Sequence, residues 1–113
     1  MKLIELAYFT DDVQAMSDFY RALLGAEAIA TSDDMAIFMN GDVKIFIHRT
    51  YQQGADDLPP ENHTAFEVED VDVVCEDLIQ KGMTLEVAPQ DYYWGRSAYL
   101  RNPDGYLIEI TKG

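Results

Sequence analysis

An α+β fold made of two tandem β-α-β-β-β units is what the sequence predicts, and three observations predict it. Ile4 to Val13 and Asn62 to Val71 run in step: Ala7 falls on Ala65, Tyr8 on Phe66, Asp12 on Asp70 and Val13 on Val71. The far ends also match. Asn40-Gly41-Asp42-Val43-Lys44-Ile45-Phe46-Ile47 corresponds, with one inserted residue, to Asn102-Pro103-Asp104-Gly105-Tyr106-Leu107-Ile108-Glu109-Ile110. There are two copies and no third, which marks a duplicated supersecondary unit and not a solenoid, since solenoids need three or more repeats. In this register Glu5 pairs with His63, and Phe46 pairs with Glu109. Those four positions are where chemistry is sought.

Residues 3–9 alternate and carry β-favouring Ile, Tyr and Phe, which predicts a strand. With Ile4, Leu6 and Tyr8 toward the core, Glu5 stands on the opposite face. Asp11 and Asp12 suit a helix N-cap. Val13, Met16, Phe19, Tyr20, Leu23 and Leu24 recur at helical spacing before Gly25, a residue favoured just past a helix end. A short strand is expected near 27–31, a turn at Asp33-Asp34, and a hairpin of 35–39 and 43–49 about Asn40-Gly41. Residues 50–61 lack periodicity and end in Pro59-Pro60, which predicts an extended linker. The second unit repeats the order, with a strand at 63–68, a cap at Glu69 or Asp70 and a helix from Val71 to Lys81 and Gly82. Strands are expected near 83–88, 96–101 and 106–112, the last two joined by a turn at 102–105.

At 113 residues the chain fits one domain, 1–113, with units 1–49 and 62–113 joined by the linker. Half that length is marginal alone, so the units are expected to share a core or to pair with a second subunit, and a homodimer is expected. The net charge of −13, from 21 acidic against 8 basic residues, repels phosphate backbones and anionic headgroups, so neither nucleic acid nor membrane is expected as a partner. With 48% apolar and 12% aromatic residues, the chain is no disordered acidic tail. Cys75 falls among apolar residues at helical spacing and reads as a small buried hydrophobe. The first residues lack the apolar run of a signal peptide, and no stretch approaches a membrane span of roughly 20 apolar residues. A cytoplasmic location is expected.

The duplication, the Asp-Phe-Tyr-Arg-Ala-Leu-Leu-Gly at 18–25, the His-Thr-Ala-Phe-Glu-Val at 63–68 and the Arg-Asn-Pro-Asp-Gly-Tyr-Leu-Ile-Glu-Ile at 101–110 together carry a family resemblance. The sequence resembles the vicinal oxygen chelate superfamily, which includes glyoxalase I, extradiol dioxygenases, methylmalonyl-CoA epimerase, fosfomycin resistance enzymes and bleomycin resistance proteins. The resemblance implies curled mixed sheets around a cup with helices outside. In metal-dependent members the ligands come from the first and last strands of each unit. The corresponding residues here are Glu5, Phe46, His63 and Glu109. Glu5 stands where His or Gln is common. Phe46 stands where a carboxylate often sits, and it cannot ligate.

Glu5, His63 and Glu109 would offer two carboxylates and an imidazole, a set suited to Fe²⁺, Mn²⁺, Ni²⁺ or Zn²⁺. Three protein ligands leave room for a substrate to bind through neighbouring oxygens, with Glu5 or Glu109 also serving as the catalytic base. Glu109 interrupts an apolar run from the face opposite Ile108 and Ile110; without the family match it would read as an exposed surface residue. His48 shares a face with Phe46 and is a pocket-lining candidate, as is Phe46 itself. Trp94 and Arg96, beside Tyr92 and Tyr93, are expected in a loop that contacts ligand or else packs an interface. Ser97, Tyr99 and Arg101 share one strand face, which would make a polar wall, while Met35, Ile37 and Met39 would make an apolar one.

Two functions compete on this sequence. One is a metal-dependent lyase, isomerase or dioxygenase acting on a small molecule with vicinal oxygens, favoured by Glu5, His63 and Glu109. The other is a metal-free protein that sequesters a drug or aromatic compound, favoured by Phe46 and the aromatic cluster. The enzyme leads. A domain that only recognises a metabolite or a protein partner stands third.

Overall fold

Aspartates start both helices. In the computed structural model, which describes residues 1–52 and 59–112, the Asp12 carboxylate accepts the Ala15 N–H at 3.0 Å. The Asp70 carboxylate accepts the Val73 N–H at 3.1 Å. Each satisfies a donor that the first helical turn would leave unpaired. Helix α1 (Val13–Leu24) ends on Gly25, whose φ of 66° is the left-handed conformation that glycine adopts without strain. Helix α2 (Val71–Gln80) closes on Lys81.

The chain divides into two compact units, one of Glu5–Asn62 and one of Met1–Ile4 with His63–Gly113. The strands of the first half are β1 (Lys2–Thr10), β2 (Ala30–Thr31), β3 (Met35–Asn40) and β4 (Val43–Arg49), in the order β2-β3-β4-β1. Those of the second are β5 (His63–Glu67), β6 (Leu85–Tyr92), β7 (Gly95–Arg101) and β8 (Leu107–Lys112), in the order β5-β8-β7-β6. The fold is therefore α+β with β-α-β-β-β order occurring twice. In each half the first strand pairs parallel with the last and the other pairings are antiparallel. A parallel pair cannot be closed by a tight turn, so the intervening segment must cross over, and it carries a helix.

Each helix covers one face of its own strands. Val13 of α1 packs with Ala36, Phe38, Ile45 and Ile47, flanked by Tyr8, Met16, Tyr20 and Leu24. Val71 and Cys75 of α2 pack with Val68, Ala98, Leu100 and Ile110, flanked by Phe66, Val74, Leu78 and Ile108. Full burial of a side chain such as Phe38 or Ile47 contributes about 1.5–3 kcal/mol relative to exposure. Strand alternation then turns the intervening residues, among them Glu5, Phe46, Ser97 and Glu109, to the face away from the helix.

Some boundaries differ from expectation. The β3–β4 loop is Gly41-Asp42, since Asn40 pairs with Val43. Helix α2 stops at Gln80, short of Gly82. Strand β6 runs on through Pro89 to Tyr92; it lies at the sheet edge, with register shifts between Leu85 and Gln90, where a missing N–H is tolerated. The aromatic stretch is thus no long loop: Tyr92 pairs with Gly95, leaving Tyr93 and Trp94 as a two-residue turn. Within the expected linker, residues 53–58 lie outside the described residues. No described helix is long and apolar enough to cross a membrane.

Candidate functional site

The parallel register of β5 on β8 places His63 opposite Leu107 and Ala65 opposite Glu109. His63 and Glu109 are thereby diagonal neighbours on the face away from α2. Their side chains are 8% and 5% exposed, and His63 Nε2 lies 3.1 Å from Glu109 Oε1. An ionised carboxylate only accepts, so Nε2 carries the proton in this pair. Burial of Glu109 sets it apart from an ordinary surface glutamate: a buried carboxylate needs partners, and these are present.

The second partner is Ser97. Strand β7 sets Ser97 opposite Thr111 and Tyr99 opposite Glu109. Ser97 Oγ donates to Glu109 Oε2 at 2.8 Å. It also lies 2.8 Å from Thr111 Oγ1, and it accepts the Trp94 indole N–H at 3.1 Å. Ser97, Tyr99, Glu109 and Thr111 are all buried. Tyr99 meets the His63 ring edge-on at 5.9 Å. Tyr92 stacks on Trp94 at 4.5 Å, while Tyr93 beside them is 95% exposed. Trp94 is therefore tied to the carboxylate through one hydroxyl.

In the other unit, β1 and β4 set Glu5 beside Lys44, Ala7 beside Phe46 and Phe9 beside His48. Glu5 is 18% exposed and pairs with the Lys44 ammonium at 3.7 Å. His48 Nδ1 lies 2.7 Å from its neighbour's carbonyl, Arg49 O, which accepts and so fixes the proton on Nδ1. Its ring contacts Phe9, Phe46 and Tyr51 at 5.6–5.8 Å. Across from it on β3, Met35 faces His48 and Ile37 faces Phe46. The result is an apolar, largely aromatic face with one imidazole in it.

The two arginines singled out by the sequence are both engaged by carboxylates. Arg96 grips Asp72 through Nε at 2.7 Å and Nη2 at 3.0 Å, and reaches Asp91 at 3.0 Å. That guanidinium holds the Asp72 carboxyl below its ordinary 3.8. Arg101 binds Glu86 at 2.7 and 3.0 Å and the Gly105 carbonyl at 2.8 Å. Sequence reasoning named Ser97 as a wall residue but did not see it as the donor to Glu109, and it passed over Asp72 altogether. A separate polar hollow of about 490 Å³ lies at the start of α1, lined by Asp11, Asp12, Gln14, Ser32, Asp33 and Arg49 among others. There Arg49 bonds Asp34 and the carbonyls of Asp33 and Asp11.

A protein-family model described as the Glyoxalase/Bleomycin resistance protein/Dioxygenase superfamily matches residues 2–110. The chain is 32% identical over 126 residues to the uncharacterized protein YraH of Bacillus subtilis (strain 168), covering 99% of this chain and 98% of that one. It is 28% identical over 125 residues to a lactoylglutathione lyase of Escherichia coli O157:H7, covering 99% and 93%. Among solved structures, a methylmalonyl-CoA epimerase of Streptomyces coelicolor in complex with 2-nitronate-propionyl-CoA superposes with a TM-score of 0.68. That match has 21% identity and covers 97% of this chain and 95% of that one; it speaks to the fold.

Proposed function

The chain belongs to the Glyoxalase/Bleomycin resistance protein/Dioxygenase superfamily, and from that premise we propose that it is a divalent-metal-dependent enzyme. Its substrate class is a small molecule with oxygens on neighbouring atoms, and its reaction is of lyase, isomerase or dioxygenase type. The observation that carries this reading is the buried His63–Glu109 pair. Two good donors, an imidazole nitrogen and a carboxylate oxygen, are held 3.1 Å apart on one sheet face. The lactoylglutathione lyase among the relatives supports a lyase or isomerase type.

The donor chemistry fits Fe²⁺, Mn²⁺, Ni²⁺ or Zn²⁺. Glu5, His63 and Glu109 each offer one ligand atom of the kinds these ions take. The place of Glu5 in the set rests on the duplication, which aligns it with His63. When bound, the ion supplies Lewis-acid polarisation of a substrate oxygen. The chain's own residues do the rest. His63 would ligate through Nε2 as its Nδ1–H tautomer, the ring proton passing from Nε2 to Nδ1 by exchange with solvent, and Glu5 or Glu109 would take a proton from the substrate as general base. Tyr99, packed edge-on against His63, keeps water off the imidazole. The face of Phe46, His48, Met35 and Ile37 suits the carbon body of a ligand.

A second reading, metal-free sequestration of an aromatic compound, draws on one observation. Phe46 occupies the position that Glu109 fills in the other unit, and it belongs to the ring cluster with Phe9, His48 and Tyr51. Elemental analysis and calorimetric titration of the purified protein with Mn²⁺, Ni²⁺ and Zn²⁺ separate the two. Near-stoichiometric binding that His63→Ala and Glu109→Ala abolish is the expected result. A wild-type protein that takes up none of these ions, even after reconstitution, sinks the enzyme reading in favour of sequestration.

A further inference from the structure

The Ser97 hydroxyl has one proton and two acceptor sites, and all three are committed. The Glu109 carboxylate can only accept, so the single proton goes to Oε2 at 2.8 Å. The indole N–H of Trp94 fills one lone pair at 3.1 Å. Thr111 Oγ1 lies 2.8 Å from the serine oxygen and 3.4 Å from the Arg96 carbonyl; with the serine proton spent on Glu109, the shorter contact takes the threonine proton and fills the other lone pair. Saturated in this way and fully buried, Ser97 cannot turn to another partner. The neighbouring backbone fixes it further, since Ser97 and Thr111 are paired residues of β7 and β8.

We propose that Ser97 is a positioning residue for metal binding: it pins Oε2 of Glu109, so that the carboxylate offers Oε1 alone, on the side where His63 Nε2 lies. The proposal rests on the metal reading above and adds to it a named determinant of ligand geometry. An unpinned carboxylate rotates about its last bond and can present both oxygens. The bond to Ser97 removes that option and pays the ordering cost at folding, before any ion arrives. Hydrogen-bonded partners of ligating carboxylates act in this way, and their loss typically lowers metal affinity roughly 10–100-fold. The Trp94 indole anchors the serine from the hairpin turn but does not touch the carboxylate. Its loss therefore weakens the fold while leaving the Ser97–Glu109 bond in place.

The test is titration of the whole metal-free protein with Co²⁺ alone, read by visible absorption and by calorimetry, in wild type, Ser97→Ala and Trp94→Phe. The expected result is that S97A binds roughly 10–100-fold more weakly than wild type, with a changed Co²⁺ spectrum that reports an altered ligand set. W94F, by contrast, keeps wild-type affinity and spectrum while melting at lower temperature. A purely structural serine would lower the melting temperature of both variants and leave the spectrum of both alone. If S97A does not fold, Ser97→Gly, which likewise lacks the hydroxyl and adds no metal ligand, is read in its place, with the same loss of affinity expected. Wild-type affinity and spectrum in a folded S97A or S97G overturn the assignment to Ser97 and leave the metal reading standing. Absence of Co²⁺ binding by wild type overturns the metal reading and the role of Ser97 with it.

Discussion

Glu109 Oε1 and His63 Nε2 meet at 3.1 Å although 46 residues separate them in the chain. Parallel pairing of β5 with β8 brings the two onto adjacent strands, and a one-residue slip in that pairing would turn one of them to the helix side. The same burial that makes the pair a candidate site makes it matter to stability.

Glu109→Ala removes the acceptor of both Ser97 and His63 at a place that water does not reach. The metal-free variant is expected to lose about 1–3 kcal/mol of unfolding free energy. Glu109→Gln, which keeps the shape and an oxygen for Ser97, should lose less. Urea unfolding midpoints check both; equal losses in the two variants would show that the hydrogen bonds contribute nothing distinct.

The Arg96 clamp on Asp72 gives an acid signature. Its hydrogen bond lowers the Asp72 pKa from 3.8, so the native state binds that proton less readily than the unfolded chain. The stabilisation is present above 3.8 and fades as pH falls through the depressed native value. Asp72→Asn is expected to be less stable than wild type at neutral pH, with the gap closing in acid. A gap independent of pH would contradict the pairing.

Tyr20 gives the opposite signature in alkali. Burial first, then the Tyr8 hydroxyl beside it, push its phenol up from 10.0 to about 12, and the two rings stack at 5.7 Å. A raised native value means stabilisation that is full below 10.0 and is lost as pH rises through about 12. Spectrophotometric titration should show one late tyrosine that Tyr20→Phe removes. Stability of Y20F should then fall less steeply than wild type above 10.0.

Cys75 is 2% exposed, and burial pushes its thiol up, with the Asp72 charge adding to the rise. Thiolate is the reactive form, so iodoacetamide should label the native protein far more slowly than the urea-unfolded one. Equal rates by mass spectrometry would remove Cys75 from the core.

Local signals were legible in the sequence. Asp12 and Gly25 are chemically suited to start and stop a helix, and α1 spans the residues between them. The alternation of Val43 to Arg49 gave β4 its bounds. The duplication picked out His63 and Glu109 because it compares one half of the chain with the other. The strand beyond Pro89 was not legible, since a proline breaks the pattern unless its strand is known to be an edge. Neither was the bond from Ser97 to Glu109, nor the grip of Arg96 on Asp72 across 24 residues. Such pairs depend on which strand lies beside which and in what register.

By itself, then, the amino-acid order determined a doubled β-α-β-β-β chain, the start of both helices, the end of α1 and the core faces, and it marked His63 and Glu109 as candidates, because propensity, capping and periodicity act between near neighbours. Only the tertiary structure decided that Glu109 is buried, that Ser97 and His63 divide its two oxygens between them, and that Arg96 and Arg101 are engaged by Asp72 and Glu86. Burial and side-chain pairing arise from the packing of distant segments, and no local pattern encodes them.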